Sequence, residues 1–219
     1  MRRVVVLRPK PGASETVKRA RELGLEPVSV PLFEVEAVEW TMPDGAFDGV
    51  LLTSANAVRQ AGEQLQKLRA LPAYTVGEAT AEAARDAGFD VAATGVDGVE
   101  RLLGSIDPGL RLIHLCGEDR KSAPDARQEI EPVAVYRSKA IEAPTLGDVN
   151  GSVALVHSPR AGSRLGELVK DKASIAVVAI SKAAANAVGE GWEVVTAADK
   201  PTDDAVLALA AELCNKPQP

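Results

Sequence analysis

The sequence is poor in aromatic residues and cysteine, and it lacks a long apolar run. Aromatic residues make up 3% of the 219 residues, so aliphatic side chains have to build the core. Cys116 and Cys214 fall in or beside apolar patterns, and we expect free, buried thiols, as in a reducing cytosol. No apolar run approaches the roughly 20 residues of a membrane span, and the N-terminus turns polar too early for a signal peptide. These absences favour a cytoplasmic protein that has no membrane anchor.

An excess of positive charge and the common ligand-binding motifs are also missing. The formal net charge is -6, which argues against a protein that binds nucleic acid through counterion release. The sequence contains no dinucleotide fingerprint, no phosphate loop and no nucleophile elbow. No His or Cys group has the spacing of a zinc site. We therefore expect neither a metal site nor a nucleic-acid partner.

The sequence does contain a strand-to-helix turn that occurs more than once. Residues 50–52 are apolar, and Thr53, Ser54 and Asn56 follow them at the start of a helical pattern. An apolar run that ends in hydroxyl and amide side chains is typical of a buried parallel strand leading into a capped helix. The amides and the dipole at such a helix start attract anions.

The same pattern returns later in the chain. Ser158 follows an apolar run 104 positions after Ser54. The next turn repeats at the same spacing and places Gly77 opposite Ser181. A repeat of this length indicates duplicated domains rather than a solenoid.

Two segments in which apolar and charged residues alternate predict a link between the domains. Alternation is typical of a half-exposed strand, and we interpret the pair as an antiparallel ribbon. The N-terminal β-α-β unit has to join the C-terminal block, because neither piece makes a full sheet alone. The predicted boundaries are residues 1–33 and 142–219 for the discontinuous domain one, 40–132 for domain two, and 34–39 and 133–141 for the ribbon.

The alternation of strands and helices predicts an α/β fold. It consists of two similar open parallel-sheet domains, the first discontinuous, joined by a two-stranded antiparallel ribbon. Sheets of this kind bind ligands beyond the carboxyl ends of their strands. We expect helices to begin near Ser14, Ser54, Glu78, Gly98, Lys121, Ser158, Ser181 and Thr202.

Several strand ends carry candidate functional residues. The helix starts at residues 53–56, 77–80, 116–117 and 158–159 are ordinary α/β turns when taken singly, but together they favour an anion site. Arg8 ends the first strand and Tyr136 lies on the returning ribbon strand. His114 is interpreted as a core or strand-end histidine, and for His157 the sequence leaves ligand contact open.

In their order and spacing these residues resemble the uroporphyrinogen-III synthase family, over nearly the whole chain. The stretch 52–58 and Tyr136 are the most telling. The other similar segments are residues 7–9, 76–81, 116–117, 158–159, 179–181 and 201–202. The family often has glycine and then threonine where this chain has residues 181–184, so Ser181 is expected to replace a threonine contact.

The resemblance implies a lyase of haem and porphyrin biosynthesis that uses no metal or organic cofactor. Its substrate is hydroxymethylbilane, a linear tetrapyrrole with eight carboxylate side chains, which is closed with loss of water and inversion of ring D to give uroporphyrinogen III. Tyr136 is the expected catalytic proton donor. The expected substrate-binding residues are Arg8, Thr53, Ser54, Asn56, Gly77, Thr80, Cys116, Gly117, Ser158 and Ser181. Arg120, Lys121, Arg137 and Arg160 are expected to assist.

Two other readings of the same sequence stay open at this point. A non-catalytic two-domain protein that binds a small anion would use the same helix starts. A nucleotide-using transferase on a doubly wound sheet is the other alternative, although the missing glycine fingerprint weighs against it. We expect a monomer in each case, because no coiled coil or apolar stripe demands a partner.

Overall fold

The structure is a computed structural model that describes residues 2–96, 98–119 and 126–215. The chain divides into two units, one formed by Met1–Glu34 with Ala140–Pro219 and the other by Val35–Lys139. Among the described residues, no helix has both the length and the apolar character needed to cross a membrane.

Eleven strands and seven α-helices are described. The strands are β1 (Arg3–Val6), β2 (Glu26–Ser29), β3 (Phe33–Ala37), β4 (Gly49–Leu52), β5 (Ala73–Val76), β6 (Val91–Gly95), β7 (Arg111–Gly117), β8 (Glu129–Ala140), β9 (Val153–Val156), β10 (Ala176–Ala179) and β11 (Val194–Ala197). The helices are α1 (Gly12–Glu22), α2 (Ala55–Gln60), α3 (Glu78–Asp86), α4 (Val99–Ser105), α5 (Pro159–Leu168), α6 (Lys182–Ala187) and α7 (Asp203–Asn215), with a 3₁₀ helix at Gly62–Leu68.

The sheet of the first unit has the strand order β11-β10-β9-β1-β2 and is parallel throughout. The N-terminal strand β1 lies between β2 and β9, which begins at Val153. The N-terminal β-α-β unit therefore completes the sheet of the C-terminal block, and the predicted α/β fold with a discontinuous first domain is confirmed.

The sheet of the second unit has the order β3-β8-β7-β4-β5-β6, and its strands from β8 to β6 are parallel. Strand β3 runs antiparallel to β8, since the amide of Val38 donates to Val135 while the amide of Ile141 donates to Leu32. Strand β8 is longer than the predicted return strand, because its first half also pairs with β7. The same strand thus belongs to the parallel sheet and to the antiparallel ribbon.

The strands are apolar on both faces because each sheet is covered on both sides. In the first unit Val4, Leu155 and Val178 pack in one core, whereas Val5 and Ala154, on the alternate positions, pack in the other. Burial on both faces produces the continuous apolar runs that made these strands visible in the sequence.

One helix start differs from its prediction. Helix α1 begins at Gly12 with Pro11 at the N-cap, and Ser14 makes no cap; its amide donates to the carbonyl of Pro11. Proline fits the start of a helix because its φ is already helical and it has no amide hydrogen to satisfy. The helix predicted near Lys121 lies outside the described residues.

Candidate active site

In the second unit, the turn after β4 is built by side chains that serve the backbone. Ser54 is the N-cap of α2, and its hydroxyl accepts from the amide of Asn56 at 3.2 Å. Thr53 is half-buried, and its hydroxyl lies 3.0 Å from Nε2 of His114. His114 is buried, as expected for a strand-end histidine. The Ser54 hydroxyl is thus already used within the turn, and Thr53 is held by the neighbouring strand.

The turn after β5 depends on a glycine. Gly77 has φ +80°, where a side chain is strained, and no described atom lies within 4 Å of the position that a Cβ would take. Its carbonyl accepts from the amides of Thr80 and Ala81 at 3.1 Å each. The two preceding amides, of Glu78 and Ala79, belong to exposed residues at the start of α3 and have no intrahelical acceptor. This helix start presents two amides and the positive end of a dipole to solvent.

Thr80 was expected to bind substrate, but the structure places it inside the protein. It is 5% exposed, and its amide is bonded to Gly77. Cys116 is likewise buried, with its thiol donating to the carbonyl of Val133 at 3.5 Å. As predicted, both cysteines are free and buried. Both Thr80 and Cys116 are thus buried residues.

Tyr136 lies beside the carboxyl end of β7. It is paired with Gly117 in the sheet, and its carbonyl accepts from the amide of Glu118 at 3.0 Å. Its half-buried ring rests on Gly117, because a Cβ added at that glycine would stand 3.1 Å from the phenol oxygen. The expected proton donor and Gly117 are therefore in direct contact.

In the first unit, Ser158 and Ser181 cap their helices in the same way as Ser54. The Ser158 hydroxyl accepts from Ala161 at 3.1 Å at the start of α5, and the Ser181 hydroxyl accepts from Ala184 at 3.2 Å at the start of α6. Pro159 occupies the first turn of α5, so this helix start offers one amide fewer than α6. The guanidinium of Arg160 lies over the Phe33 ring, 4.7 Å from its centroid.

A polar cluster gathers around Asp203 at the start of α7. The carboxylate lies 3.5 Å from the guanidinium of Arg8, accepts from the Thr16 hydroxyl at 2.9 Å and lies 2.8 Å from Nε2 of His157. Burial alone would raise the pKa of Asp203, but the hydrogen bonds from His157 and Thr16 and the charge of Arg8 together lower it. An ionised carboxylate only accepts, so Nε2 of His157 carries a proton.

Two candidates from the sequence, Arg8 and His157, belong to this cluster. Arg8 is held by Asp203, and its guanidinium lies against Gly12, where a Cβ would approach it to 2.6 Å. Nδ1 of His157 is buried without a hydrogen-bond partner among the described residues. The sequence predicted a helix start near Thr202 but did not reveal Asp203 and Thr16 as partners in this cluster. Only the position of Asp203, in the first turn of a helix, was visible as a signal.

Arg137, another of the cations expected to assist binding, is paired with a neighbouring carboxylate. Arg137 donates two hydrogen bonds, both of 3.0 Å, to Glu36 on β3. These bonds lower the pKa of Glu36, with Lys139 adding to the effect. Arg120 and Lys121 lie outside the described residues. The residues that the structure describes contain no group of three or more His, Cys, Asp or Glu side chains suited to a metal ion.

Comparison with known proteins identifies a family. A family model described as uroporphyrinogen-III synthase HemD matches residues 14–208. A uroporphyrinogen-III synthetase from Helicobacter pylori has a similar structure, with a TM-score of 0.72 and 20% identity over 97% of this chain and 100% of that one. A mutant uroporphyrinogen III synthase from Thermus thermophilus gives a TM-score of 0.55 and 18% identity over 99% of this chain and 100% of that one. At these identities the two structures show a shared fold. None of the curated proteins gives a significant match.

Proposed function

The chain belongs to the uroporphyrinogen-III synthase family, and we propose that Tyr136 supplies the proton that starts its ring closure. The family's enzyme is a lyase that converts hydroxymethylbilane to uroporphyrinogen III. In the proposed step, the phenol of Tyr136 donates its proton to the hydroxyl group on ring A, which leaves as water and gives an azafulvene cation. A phenol is one of the side-chain groups that donate a proton in general acid catalysis.

The later steps depend on how the substrate is held rather than on further catalytic side chains. Ring D attacks the cation through its substituted carbon to form a spiro intermediate, which fragments and recloses with ring D inverted. Closure releases one proton from the ring system, and the Tyr136 phenolate takes it back, so the phenol is regenerated. Free substrate tends to close without inversion, so the protein also has to hold the substrate in one folded shape.

The contacts of Tyr136 are the observation that carries this proposal. The backbone beside it is fixed from two sides, since Val135 accepts from Val38 at 3.0 Å and Tyr136 accepts from Glu118 at 3.0 Å. The ring rests on Gly117 at the carboxyl end of β7. A proton donor that is already positioned loses little freedom when substrate binds.

We propose that backbone amides hold the substrate carboxylates more than side-chain charge does. The protein carries a net charge of -6, so its average field repels a ligand with eight carboxylates. The helix start at residues 77–80, where Glu78 and Ala79 are exposed, offers fixed local dipoles instead. Arg8 is partly neutralised by Asp203, which makes it a positioned but weaker contact.

The hydroxyl groups of the three capping serines have a structural part in this proposal. Ser54, Ser158 and Ser181 each satisfy an amide of their own helix. They hold the helix starts in shape, so that the preceding amides stay directed outward.

A coupled assay tests the function and the role of Tyr136 together. Purified protein is given hydroxymethylbilane, and the type I and type III isomers are separated after oxidation. We expect type III product from the wild type and a kcat reduced about 10²- to 10⁴-fold in Tyr136→Phe, with substrate binding changed much less. Type III formation by Tyr136→Phe at the wild-type rate would remove Tyr136 from the mechanism. Absence of type III product with the wild type would instead favour a non-catalytic anion-binding protein.

We further propose that the enzyme acts as a monomer in the cytoplasm and without a nucleic-acid partner. Two free, buried thiols fit a reducing compartment, and the acidic charge disfavours nucleic acid. Light scattering coupled to size exclusion, at several protein concentrations, tests the monomer; a mass of twice 22.9 kDa would contradict it.

A further inference from the structure

Strand β8 contains an irregularity directly before Tyr136. Ala134 pairs with Cys116, but the next residue of β7, Gly117, pairs with Tyr136, so Val135 is an extra residue on β8. An inserted residue of this kind bends a strand and redirects the side chains that follow it. From Val135 onward β8 keeps one register with β3, because Val135 accepts from Val38 while Ile141 donates to Leu32. The irregularity itself lies in the pairing of β8 with β7.

The redirected ring occupies the space above Gly117. A Cβ at Gly117 would lie 2.9 Å from Cζ, 3.0 Å from Cε2 and 3.1 Å from the phenol oxygen of Tyr136. Ordinary contacts of a Cβ begin near 3.4 Å, so the ring would have to retreat by about half an ångström or more. The backbone of Gly117 is not in the left-handed region, and the three atoms nearest to an added Cβ all belong to Tyr136.

We infer that Gly117 is a positioning residue, which acts on catalysis through Tyr136 by leaving room for its ring. The bulge at Val135 turns the ring toward β7, and the missing side chain at Gly117 lets it settle against the backbone. This inference rests on the proposed role of Tyr136. It gives Gly117 a different role from amide binding of substrate, because the contact that matters is with the tyrosine and not with a carboxylate.

Gly117→Ala tests the inference through a split between kcat and KM. Displacement of a catalytic group by an ångström costs up to about 10²-fold in rate, so we expect kcat to fall about 10- to 100-fold with KM nearly unchanged. The double variant Gly117→Ala/Tyr136→Phe should be no slower than Tyr136→Phe alone. If the two losses multiply instead, or if KM rises while kcat holds, Gly117 acts on the substrate by itself and the inference is wrong.

A second glycine provides a matched control. Gly49 also lies against a tyrosine, since a Cβ there would stand 2.6 Å from Cε2 of Tyr74 and 3.0 Å from the carbonyl of Pro72. It starts strand β4, whereas Gly117 ends β7. Gly49→Ala should lower the melting temperature but keep kcat within about twofold. A loss of kcat in Gly49→Ala that equals the loss in Gly117→Ala would mean that destabilisation explains both, and would overturn the inference.

A spectroscopic measurement follows the ring itself. The chain has two tyrosines, so in a Tyr74→Phe background the ring signals of a labelled sample belong to Tyr136 alone. Gly117→Ala should shift these signals, and unchanged signals would contradict the contact. If Gly117→Ala does not fold, adding Tyr136→Ala should restore folding by removing the ring, and failure to restore it would also count against the inference.

These experiments distinguish a failure of the proton-donor role of Tyr136 from a failure of the positioning role of Gly117. If Tyr136→Phe keeps full kcat, the proton-donor role of Tyr136 falls, whatever Gly117→Ala does. If Tyr136→Phe is slow but Gly117→Ala is as fast as the wild type, the proposed function stands and only the positioning role falls.

Discussion

Replacement of Gly77 separates the cost of a strained backbone from the cost of blocking a ligand. Gly77 has φ +80°, and no described atom lies within 4 Å of a Cβ placed there. A side chain at this position meets no described neighbour, but with φ +80° and ψ 145° the backbone lies in a region used essentially by glycine, so the strain costs about 1–3 kcal/mol. The smaller entropy of the unfolded chain offsets about 0.4–1 kcal/mol of that loss. We expect both Gly77→Ala and Gly77→Leu to lower the free energy of unfolding by about 1–2 kcal/mol.

The expected effect on substrate is larger and depends on the size of the side chain. A leucine at Gly77 stands beside the exposed amides of Glu78 and Ala79. Loss of one hydrogen bond to a carboxylate costs about 1.5–3 kcal/mol, which is about 10- to 150-fold in KM. Gly77→Ala should raise KM less than Gly77→Leu, because the smaller methyl group lets the ligand approach. Thr53→Ala and Ser54→Ala should have modest effects, because the amides remain.

Gly24 supplies the matched control for this experiment. It has φ +73°, no described atom lies within 4 Å of its Cβ position, and it follows the end of α1. Gly24→Leu should also destabilise the protein through backbone strain but leave KM unchanged. Urea unfolding gives the stability and the isomer-resolved assay gives KM. A wild-type KM for Gly77→Leu, together with crippling losses in Thr53→Ala and Ser54→Ala, would show that side chains bind the substrate and that the amide account is wrong.

Two further predictions concern stability. The buried guanidinium of Arg2 donates to Glu193 at 2.6 Å and to the carbonyls of Gly151 and Ser152. Arg2→Ala should cost about 1.5–3 kcal/mol in urea unfolding, because it removes these charged hydrogen bonds but leaves the carboxylate of Glu193, 30% exposed, partly in water. We expect kcat to hold, and a loss below about 0.5 kcal/mol would contradict this prediction. The folded-state pKa of Asp203 is lowered, so its ionised form stabilises the fold above the ordinary pKa of about 3.9, and this stability is lost as the pH falls through the lower folded pKa. Melting temperatures between about pH 7 and pH 2.5 should fall less steeply in Asp203→Asn than in the wild type, and parallel curves would exclude the carboxylate as a source of acid sensitivity.

Features that depend on neighbouring residues could be predicted from the sequence. Ser54, Ser158 and Ser181 cap their helices as expected, because a hydroxyl reaches an amide two or three residues away whatever the rest of the chain does. The buried strands were visible because both of their faces are apolar. The cap expected at Ser14 was wrong for an equally local reason, since Pro11 starts α1 earlier.

Features that depend on how distant strands and helices meet were decided by the tertiary structure. Thr80 is buried because of what packs on α3, and its place at a helix start does not reveal that burial. Asp203 meets Thr16, which is 187 residues away, and no periodicity encodes that pair. The contact between the Tyr136 ring and Gly117 depends on one extra residue that β8 contains relative to β7. The sequence thus determined which residues start helices and line the cores, because those preferences act over a few residues. Register and side-chain partners were settled only when the strands paired, because they depend on contacts between segments far apart in the chain.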